Sequence, residues 1–488
     1  MLRVVLALAT WLLLPPSAIV CAQSVWELTP YRVRLLVSAS NVPELHGVSD
    51  RLAEELLPRL ENLLGAAWQI EVAPAGRLLP LATRNIWQLP ADAIDVAILP
   101  EAWVKPDVDK LLLLHIDLAA DGWRVDVREW DAATWRLGPV LAYPVRQPAK
   151  LLDTAVLALL EAFRPLARIE RVGADDGGQV AVLRLRAGGL PMRDPELRLA
   201  RAGQMFSPII RINDREGRLR RDADGNPVLP QPVPWTFLVA ESVSAAEASC
   251  RVQSGLGAPL SASRRGRMEQ LALGVVPRPQ PTRLTLLARR EPREPIAGYE
   301  IFIQRPGEKV TKFIGLTDRT GSIEVAPAGT PLAILLVRSG QQLLARLPMA
   351  AGFAAELTAY VPDDTQRLEA EAFVTSLQEQ LVDAVTRREV LLSRAEAQLD
   401  AGRADEAKEL LSQLRQLPDR ETLRRRLVTR QSQLRSSDPH VQRQIAALFS
   451  DTSKLLDNHL DPAPVEALSQ TLARQASRKQ ESPAAPPE

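Results

Sequence analysis

The sequence predicts a multidomain α+β protein, in which a mixed α/β module, a small β domain, a β-sandwich and a helical region follow one another. The chain has 488 residues, and single hydrophobic cores stop growing at roughly 250 to 300 residues. Short strands, together with two helices in the first module, are expected as far as Val361. Apolar residues at helical spacing replace them after Pro362. We therefore expect about two to four separate cores.

The first 22 residues have the plan of a secretory signal peptide. One arginine precedes an apolar run from Val4 to Leu14, and small residues favour cleavage after Ala22. A membrane anchor is the alternative, but the run is shorter than the roughly 20 residues of a spanning helix. No later apolar run meets that length without charges, so no transmembrane segment is expected in the mature chain. We expect an exported protein, periplasmic or extracellular.

Two cysteines bear on export and stability. Cys21 offers a third interpretation of the amino terminus, a lipid-anchored mature protein, although Val20 is a poor residue directly before an acylated cysteine. After cleavage at Ala22, Cys250 is the remaining cysteine, so no internal disulfide can form. We expect Cys250 to be a buried structural residue. The sequence does not decide whether it is reactive.

Charge composition argues against one class of partner. Lys and Arg number 60 and Asp and Glu 59, whereas nucleic-acid binders usually carry a basic excess. No nucleic-acid partner is therefore expected.

Residues 31–168 read as the α/β module. An alternating strand at 31–37 is followed by a helix over 49–64, which ends at Gly65 as a C-terminal cap would. A second helix is expected over 149–163. The other expected elements are strands at 68–72 and 94–99 and a three-stranded meander at 110–118, 123–130 and 135–144.

This order of elements, together with the phrase DGWRVDVREWDAATWRLGPV, resembles small modules of bacterial envelope proteins such as the amino-terminal domain of the Tol-system protein TolB. The resemblance covers about a quarter of the chain. It implies an envelope setting and brings no catalytic residues.

Residues 178–276 read as a small β barrel or sandwich, because short strands alternate there with Gly, Pro and Asp. Residues 282–361 hold about seven strands, the density of a β-sandwich. Pro295-Ile-Ala-Gly298 and Gly315-Leu-Thr-Asp-Arg-Thr-Gly321 resemble the recurring pattern of the transthyretin-like, carboxypeptidase regulatory-like domains. That resemblance implies a structural or adhesive accessory without activity.

Residues 363–476 read as a helical bundle or hairpin. Asp363 and Asp364 offer N-caps, and apolar residues then follow heptad spacing at Val374, Leu377, Leu381, Ala384, Leu391 and Ala395. Residues 477–488 are polar and rich in proline, so a disordered tail is expected.

The search for chemistry assigns no catalytic, cofactor-binding or metal-binding residue, and no cofactor is expected. The four histidines stand at no metal-site spacing: His46, His115, His440 and His459. Ser254 lies before a glycine, but Val252 occupies the place where a nucleophile elbow requires Gly.

The loop from Asp222 to Asn226 resembles the start of a calcium loop, but Pro227 and Val233 replace the required Gly and Glu. The sequence leaves open whether Asp222 and Asp224 bind calcium.

Three surface features have two interpretations each. The basic runs at 264–267 and 424–426 are either solvated faces or sites for an anionic partner. The tryptophans at 123, 130 and 135 are either core packing or an exposed binding surface. Asp-Arg-Xaa-Gly occurs at Asp214 and at Asp318 and is either a binding loop used twice or a turn that closes a hairpin; we favour the turn for both copies.

We expect a non-enzymatic interaction or scaffold protein of the bacterial cell envelope, with the C-terminal helices as the surface for a protein partner. One alternative is a hydrolase of an envelope polymer that uses an unrecognised carboxylate pair in the amino-terminal half. Another is a ligand-sensing module. The sequence does not fix the oligomeric state, the partner or the packing between domains.

Overall fold

A computed structural model describes residues 25–74, 86–89, 108–120, 122–257, 259–260, 267–278, 280–327, 329–340, 342–350 and 352–481. Helices and strands both occupy large parts of these residues, which confirms the α+β class. The predicted signal peptide with Cys21, the predicted strand at 94–99, residues 264–266 of the first basic run and residues 482–488 lie outside the described residues.

Among the described residues, the first sheet has six strands in the order β2-β1-β3-β4-β5, with β6 beside β4. Strand β1 runs parallel to β2 and β3, and β4 is antiparallel to β3. The strands are β1 (Tyr31–Ala39), β2 (Trp68–Pro74), β3 (Lys110–Ala119), β4 (Gly122–Asp131), β5 (Arg136–Leu137) and β6 (Leu141–Val145).

The prediction of one strand over residues 135–144 is wrong. This segment forms two short strands, β5 and β6, which both pair with β4. Trp135 has a left-handed φ of 56°, and Gly138 and Pro139 separate the two short strands. A proline offers no backbone N–H to a sheet ladder, so the chain leaves the sheet between them.

Two helices cover one face of this sheet. They are α1 (Val48–Leu64) and α2 (Leu151–Ala162). Alternate residues of β1, such as Val33, Leu35 and Val37, pack against them in one large core. The opposite face carries a smaller core around Leu111, Leu113 and Trp130, which Ile86 helps to cover.

A buried ionic network lies between the first sheet and the next unit. Lys110, Glu129 and Arg164 are fully buried, and the Asp131 side chain is 1% exposed. Lys110 Nζ lies 2.7 Å from Asp131 Oδ2 and 3.0 Å from Glu129 Oε1. Arg164 donates to Glu129 from its backbone N–H at 2.7 Å and from Nε at 3.0 Å. The four charges balance, as burial in a protein interior requires.

The second unit contains a closed, six-stranded antiparallel barrel, because β9 pairs with both β11 and β13. Its circuit is β9-β11-β12-β8-β7-β13, and the short β10 pairs with β9. The strands are β7 (Leu166–Asp175), β8 (Gly178–Leu185), β9 (Met205–Ile212), β10 (Gln231–Pro232), β11 (Thr236–Val243), β12 (Glu247–Ser254) and β13 (Met268–Gly274).

The barrel begins earlier in the chain than the predicted β-rich segment, which started at 178. Strand β7 starts at Leu166 and is part of the closed circuit. Its Ala167 and Ile169 belong to the core of the barrel, and Leu166 packs in the large core of the first sheet, while Arg168 and Glu170 are only partly buried. The α/β module is predicted to extend to residue 168, so the first strand of the barrel was not separated from that module.

Seven strands form a two-sheet sandwich after the barrel, as the sequence predicts. One sheet has the order β17-β14-β20 and the other β16-β15-β18-β19. Inward residues such as Leu284, Ile301 and Val337 form the core between them. The strands are β14 (Thr282–Ala288), β15 (Glu300–Gln304), β16 (Thr311–Leu316), β17 (Ser322–Val325), β18 (Ala333–Ser339), β19 (Gln342–Met349) and β20 (Glu356–Val361).

The Asp-Arg-Xaa-Gly turns have the predicted form. Asp318 Oδ1 accepts the backbone N–H groups of Thr320 and Ser322 at 2.8 and 2.9 Å. Gly321 takes a left-handed φ of 72°. Asp214 Oδ1 accepts equivalent bonds at 3.0 and 2.8 Å, and Gly217 has a φ of 79°. Both copies are therefore hairpin turns.

Five helices follow the sandwich and form two cores. The first half of α3 packs with α5 and α6, and its second half packs with α4 and α7. The helices are α3 (Thr365–Asp400), α4 (Ala404–Gln416), α5 (Arg420–Gln433), α6 (Pro439–His459) and α7 (Ala463–Glu481). The predicted tail is wrong at its start, because α7 continues past Ser477 to Glu481.

The start of α3 is fixed to the sandwich. The carboxylate of Asp364 does not cap the helix; it binds the Arg367 guanidinium, with the shortest distance at 2.6 Å. Arg367 Nη2 also donates to the carbonyl of Ser339 on β18, at 3.1 Å. The N–H of Asp364 donates to the hydroxyl of Tyr299 at 2.7 Å. These bonds join the helices to the sandwich at a buried contact.

Candidate functional site

Polar side chains gather on the first sheet where β1 and β3 end. These strands are parallel, so their carboxyl ends meet at one edge, which is where α/β sheets commonly place ligand sites. Strand β4 adds two residues, because Asp126 is opposite His115 and Arg124 is opposite Asp117. This polar cluster consists of Ser38, Ser40, His115, Asp117, Arg124 and Asp126.

His115 is held between two serines. Its Nδ1 lies 3.0 Å from Ser38 Oγ, and its Nε2 lies 3.2 Å from Ser40 Oγ. Ser40 Oγ donates its proton to Asp117 Oδ1 at 2.6 Å. Because Ser40 has a single proton to give, it must accept a hydrogen bond from Nε2–H. His115 therefore donates to Ser40 and does not act as its general base in this arrangement.

One arginine joins the two carboxylates of the cluster. Arg124 Nη2 lies 2.9 Å from Asp126 Oδ2 and 3.3 Å from Asp117 Oδ2. Hydrogen bonding from Ser40 lowers the pKa of Asp117. Burial raises the pKa of Asp126, although Arg124 opposes the change. Two neighbouring carboxylates with pKa values shifted in opposite directions are the pattern of a general acid paired with a general base.

The carboxylates of Asp117 and Asp126 are not predicted as a site from the sequence. His115 is one of four histidines scattered along the chain, and the other three lie on other elements or loops. The signal was present in β3, where His115 and Asp117 are two residues apart in a strand that is otherwise apolar after Lys110. A buried strand with two polar residues on one face predicts a function or an ion pair for that face. The partners on β4 depend on the register and could not be inferred.

The loop from Asp222 to Asn226, which resembles the start of a calcium loop, is a third copy of the hairpin turn. Asp222 Oδ1 accepts the N–H groups of Asp224 and Asn226 at 3.0 and 2.9 Å, and Gly225 has a φ of 84°. One oxygen of Asp222 is thus engaged by the turn itself. Within the described residues, no group of three or more His, Cys, Asp or Glu side chains is placed to hold a metal ion.

Burial and hydrogen bonding give structural roles to two residues that could be nucleophiles, Cys250 and Ser254. Cys250 is fully buried on β12, and burial raises the pKa of its thiol to about 12. Ser254 Oγ lies 2.8 Å from Thr236 Oγ1 and accepts the N–H of Leu256 at 2.9 Å. Ser254 is thus engaged by structural hydrogen bonds at the end of β12.

The tryptophans of the meander contribute to packing. The rings of Trp130 and Trp135 meet edge to face, with their centroids 6.3 Å apart. Trp130 is buried, and Trp123 is partly buried against the large core. The packing interpretation is therefore the better one for these residues.

Helix α5 presents a strongly basic surface, which we call the arginine face. Residues 419–435 contain six arginines and two acidic residues, a net charge of +4. Leu423 and Leu427 are the buried residues of this helix, so most of its surface is open. The face consists of Arg420, Arg424, Arg425, Arg426, Arg430 and Arg435.

Only part of this charge is neutralised. Asp457 lies 3.4 Å from Arg424, and Glu369 lies 3.2 Å from Arg430. The other four arginines have no carboxylate within salt-bridge distance in the described part of the chain. Val428 is 57% exposed in the same helix. The face therefore combines unpaired guanidinium groups with an exposed apolar side chain.

Comparison with known proteins places the chain in no family. No family model and no curated protein matches it. Among solved structures, TolB from Acinetobacter baumannii is 13% identical, with 67% of this chain and 97% of that chain covered and a TM-score of 0.16. The Bacillus anthracis TIE protein is 10% identical, with 46% of each chain covered and a TM-score of 0.13. Scores this low support no conclusion about fold or function.

The TolB resemblance predicted from the sequence therefore reappears only as this weak likeness, and the transthyretin-like resemblance stays a prediction. None of the helices in the described part of the chain combines the length and apolar composition that a membrane crossing requires.

Proposed function

We propose that this protein is a non-enzymatic interaction or scaffold protein of the bacterial cell envelope, and that its C-terminal helices bind an acidic protein partner. The observation that carries the proposal is the arginine face, where four of six guanidinium groups have no carboxylate partner among the described residues. The signal-peptide pattern of residues 1–22 supports export.

The chemistry of the face favours a protein with exposed carboxylates. Arginine forms bidentate hydrogen bonds with carboxylates and is enriched among residues that dominate binding energy. Val428 lies one helical turn from Arg424 and supplies apolar contact beside the charges. Complementary charge at the rim of an interface accelerates association and makes it sensitive to salt.

The test combines capture with charge reversal. Full-length protein is used to capture partners from envelope extract, alongside a variant that lacks residues 363–488 and the double variant Arg425→Glu, Arg426→Glu. Arg387→Glu is the matched control, because Arg387 is 69% exposed on α3 and lies outside the arginine face. Circular dichroism checks that each variant folds.

We expect a partner that is retained by the wild type and the control, lost with the deletion, and bound at least about tenfold more weakly by the double variant. Raising the salt concentration should weaken wild-type binding in the same direction. Equal retention by the double variant and the control would contradict the proposal.

A hydrolase is the second candidate, because Asp117 and Asp126 share Arg124 and have pKa values shifted in opposite directions. In that case Asp126 acts as the proton donor and Asp117 as the base. The protein would then release soluble products from a cell-wall polymer, and Asp126→Asn would abolish the release.

Asp175→Asn is the control for this second candidate, since Asp175 is an exposed, ion-paired aspartate on the barrel. Turnover that Asp126→Asn abolishes and Asp175→Asn preserves would refute a purely non-enzymatic role. An absence of turnover in all three proteins would dismiss the hydrolase.

A further inference from the structure

A pocket of about 340 Å³ lies where α1 and α2 meet the segment that leads into β9. Its volume falls in the range of small-molecule sites, roughly 300 to 1,000 Å³. Most of its wall is apolar: Leu157, Leu160, Phe163, Met192, Leu197 and Leu199.

The sequence of α2 explains the apolar wall. One side of the helix is buried in the large core through Ala155, Ala158 and Leu159. The helix also has leucines away from its buried side: Leu157 is 49% exposed, and Leu160 is only partly buried. A surface helix normally has polar residues in such places. Helix α2 therefore has more apolar surface than the core buries, and the additional apolar surface lines the pocket.

The polar groups of the pocket favour a negative charge. Arg198 donates to the carbonyls of Pro195 and Leu197 and has no ion pair with any described residue. The side chain of Arg201 makes no hydrogen bond or ion pair within the described part of the chain. Glu161 is the one acidic group of the wall, and it accepts a hydrogen bond from Tyr143. The ionisable groups of the pocket therefore sum to +1.

A buried donor adds to this pattern. Trp68 forms part of the wall and is 4% exposed. Its indole N–H has no acceptor among the described residues. An unsatisfied buried donor is unfavourable, so a small movement that let it reach a ligand oxygen would stabilise a bound ligand.

We propose that this pocket binds an amphiphilic carboxylate, with the aliphatic chain against the leucines of α2 and the carboxylate near Arg198 and Arg201. An apolar wall beside two guanidinium groups that have no ion pair with any described residue matches both ends of such a ligand. The site is independent of the arginine face, so this inference does not rest on the proposed interaction function.

Decanoate, at concentrations below micelle formation, is the probe, and binding to the full-length protein is measured by calorimetry. Shortening the chain to octanoate should weaken binding about fourfold for each methylene group removed. Decanamide keeps the chain and removes the charge, and it should bind at least about tenfold more weakly because charge-assisted hydrogen bonds are lost. It also distinguishes a free acid from an acyl chain in amide linkage.

Two substitutions locate the site. Leu157→Asp introduces a charge at a half-exposed position and should abolish decanoate binding, while Arg201→Glu should weaken it at least about tenfold. Val310→Asp is the control, because Val310 is 76% exposed on the sandwich, far along the chain from the pocket. Thermal unfolding establishes that each variant folds.

Wild-type and Val310→Asp proteins with equal affinity, and both pocket variants impaired, would support the proposal. No binding of decanoate to the wild type, or undiminished binding to folded Leu157→Asp, would overturn it. Equal affinity for decanamide and decanoate would overturn the role of the two arginines.

Discussion

The buried lysine of β3 gives the most stringent test of how the first two units are held together. In Lys110→Met, the methionine fills a similar space but leaves Glu129, Asp131 and Arg164 with a net buried charge of −1. Breaking a buried ion pair by removing one partner costs about 3 to 5 kcal/mol. Lys110 Nζ also donates to the carbonyl of Arg164 at 2.5 Å, and this bond is lost as well.

The expected shift is large enough to measure. One kcal/mol moves the melting temperature of a unit of 150 to 250 residues by roughly 2 to 4 °C, so Lys110→Met should melt about 6 to 20 °C lower. Tryptophan emission is a suitable probe, because most of the nine tryptophans lie between residues 26 and 135. Far-UV circular dichroism follows the helices separately.

Lys150→Met is the matched control. Lys150 is 67% exposed and lies 3.4 Å from Asp153, so its loss should change stability by less than about 0.5 kcal/mol. If Lys110→Met melts within a degree or two of this control, the buried network contributes no net stability and the reasoning is refuted.

Three further predictions test other features. Burial opposes ionisation of Asp131, but Lys110 and Thr134 outweigh this effect and lower the pKa of its carboxyl group. The stabilisation that ionised Asp131 gives the folded state is therefore present above about pH 4 and is lost as the pH falls through the folded-state pKa. Urea titrations of the wild type and Lys110→Met should accordingly converge in acid. Gly321→Ala should destabilise the protein by about 1 to 3 kcal/mol more than Gly217→Ala does. A Cβ at Gly321 would lie 2.5 Å from the carbonyl oxygen of Leu286, whereas a Cβ at Gly217 would have nothing within 4 Å. Equal melting temperatures of the two variants would contradict this prediction. Burial raises the pKa of the Cys250 thiol to about 12, so Cys250 should resist iodoacetamide at pH 8 and react fully in denaturant. Peptide mass spectrometry measures the extent of labelling. Rapid labelling of the native protein would mean that the thiol is accessible and would contradict this prediction.

Local patterns were sufficient for most elements of the fold. The heptad spacing in α3 correctly identified Val374, Leu377 and Leu381 as buried. The turns at Asp214 and Asp318 could be predicted because their chemistry lies within five consecutive residues. Information of this kind does not depend on which distant strand lies alongside.

Features that depend on distant pairing could not be predicted. Closure of the barrel requires β9 to meet β13, more than fifty residues later in the chain. The polar cluster likewise requires β1, β3 and β4 in one register, so that Ser40, His115 and Asp126 become neighbours. The buried charges of Lys110 and Arg164 contradict the usual preference of such residues for the surface.

Helix α3 gives the carboxyl-terminal region a mechanical property. Its 36 residues contain neither proline nor glycine, and at 1.5 Å per residue they form a rod about 54 Å long. Asp364 and Arg367 anchor one end in the sandwich, and the two helical cores are attached along its length. A pulling force on either core would therefore be transmitted along α3 to the sandwich.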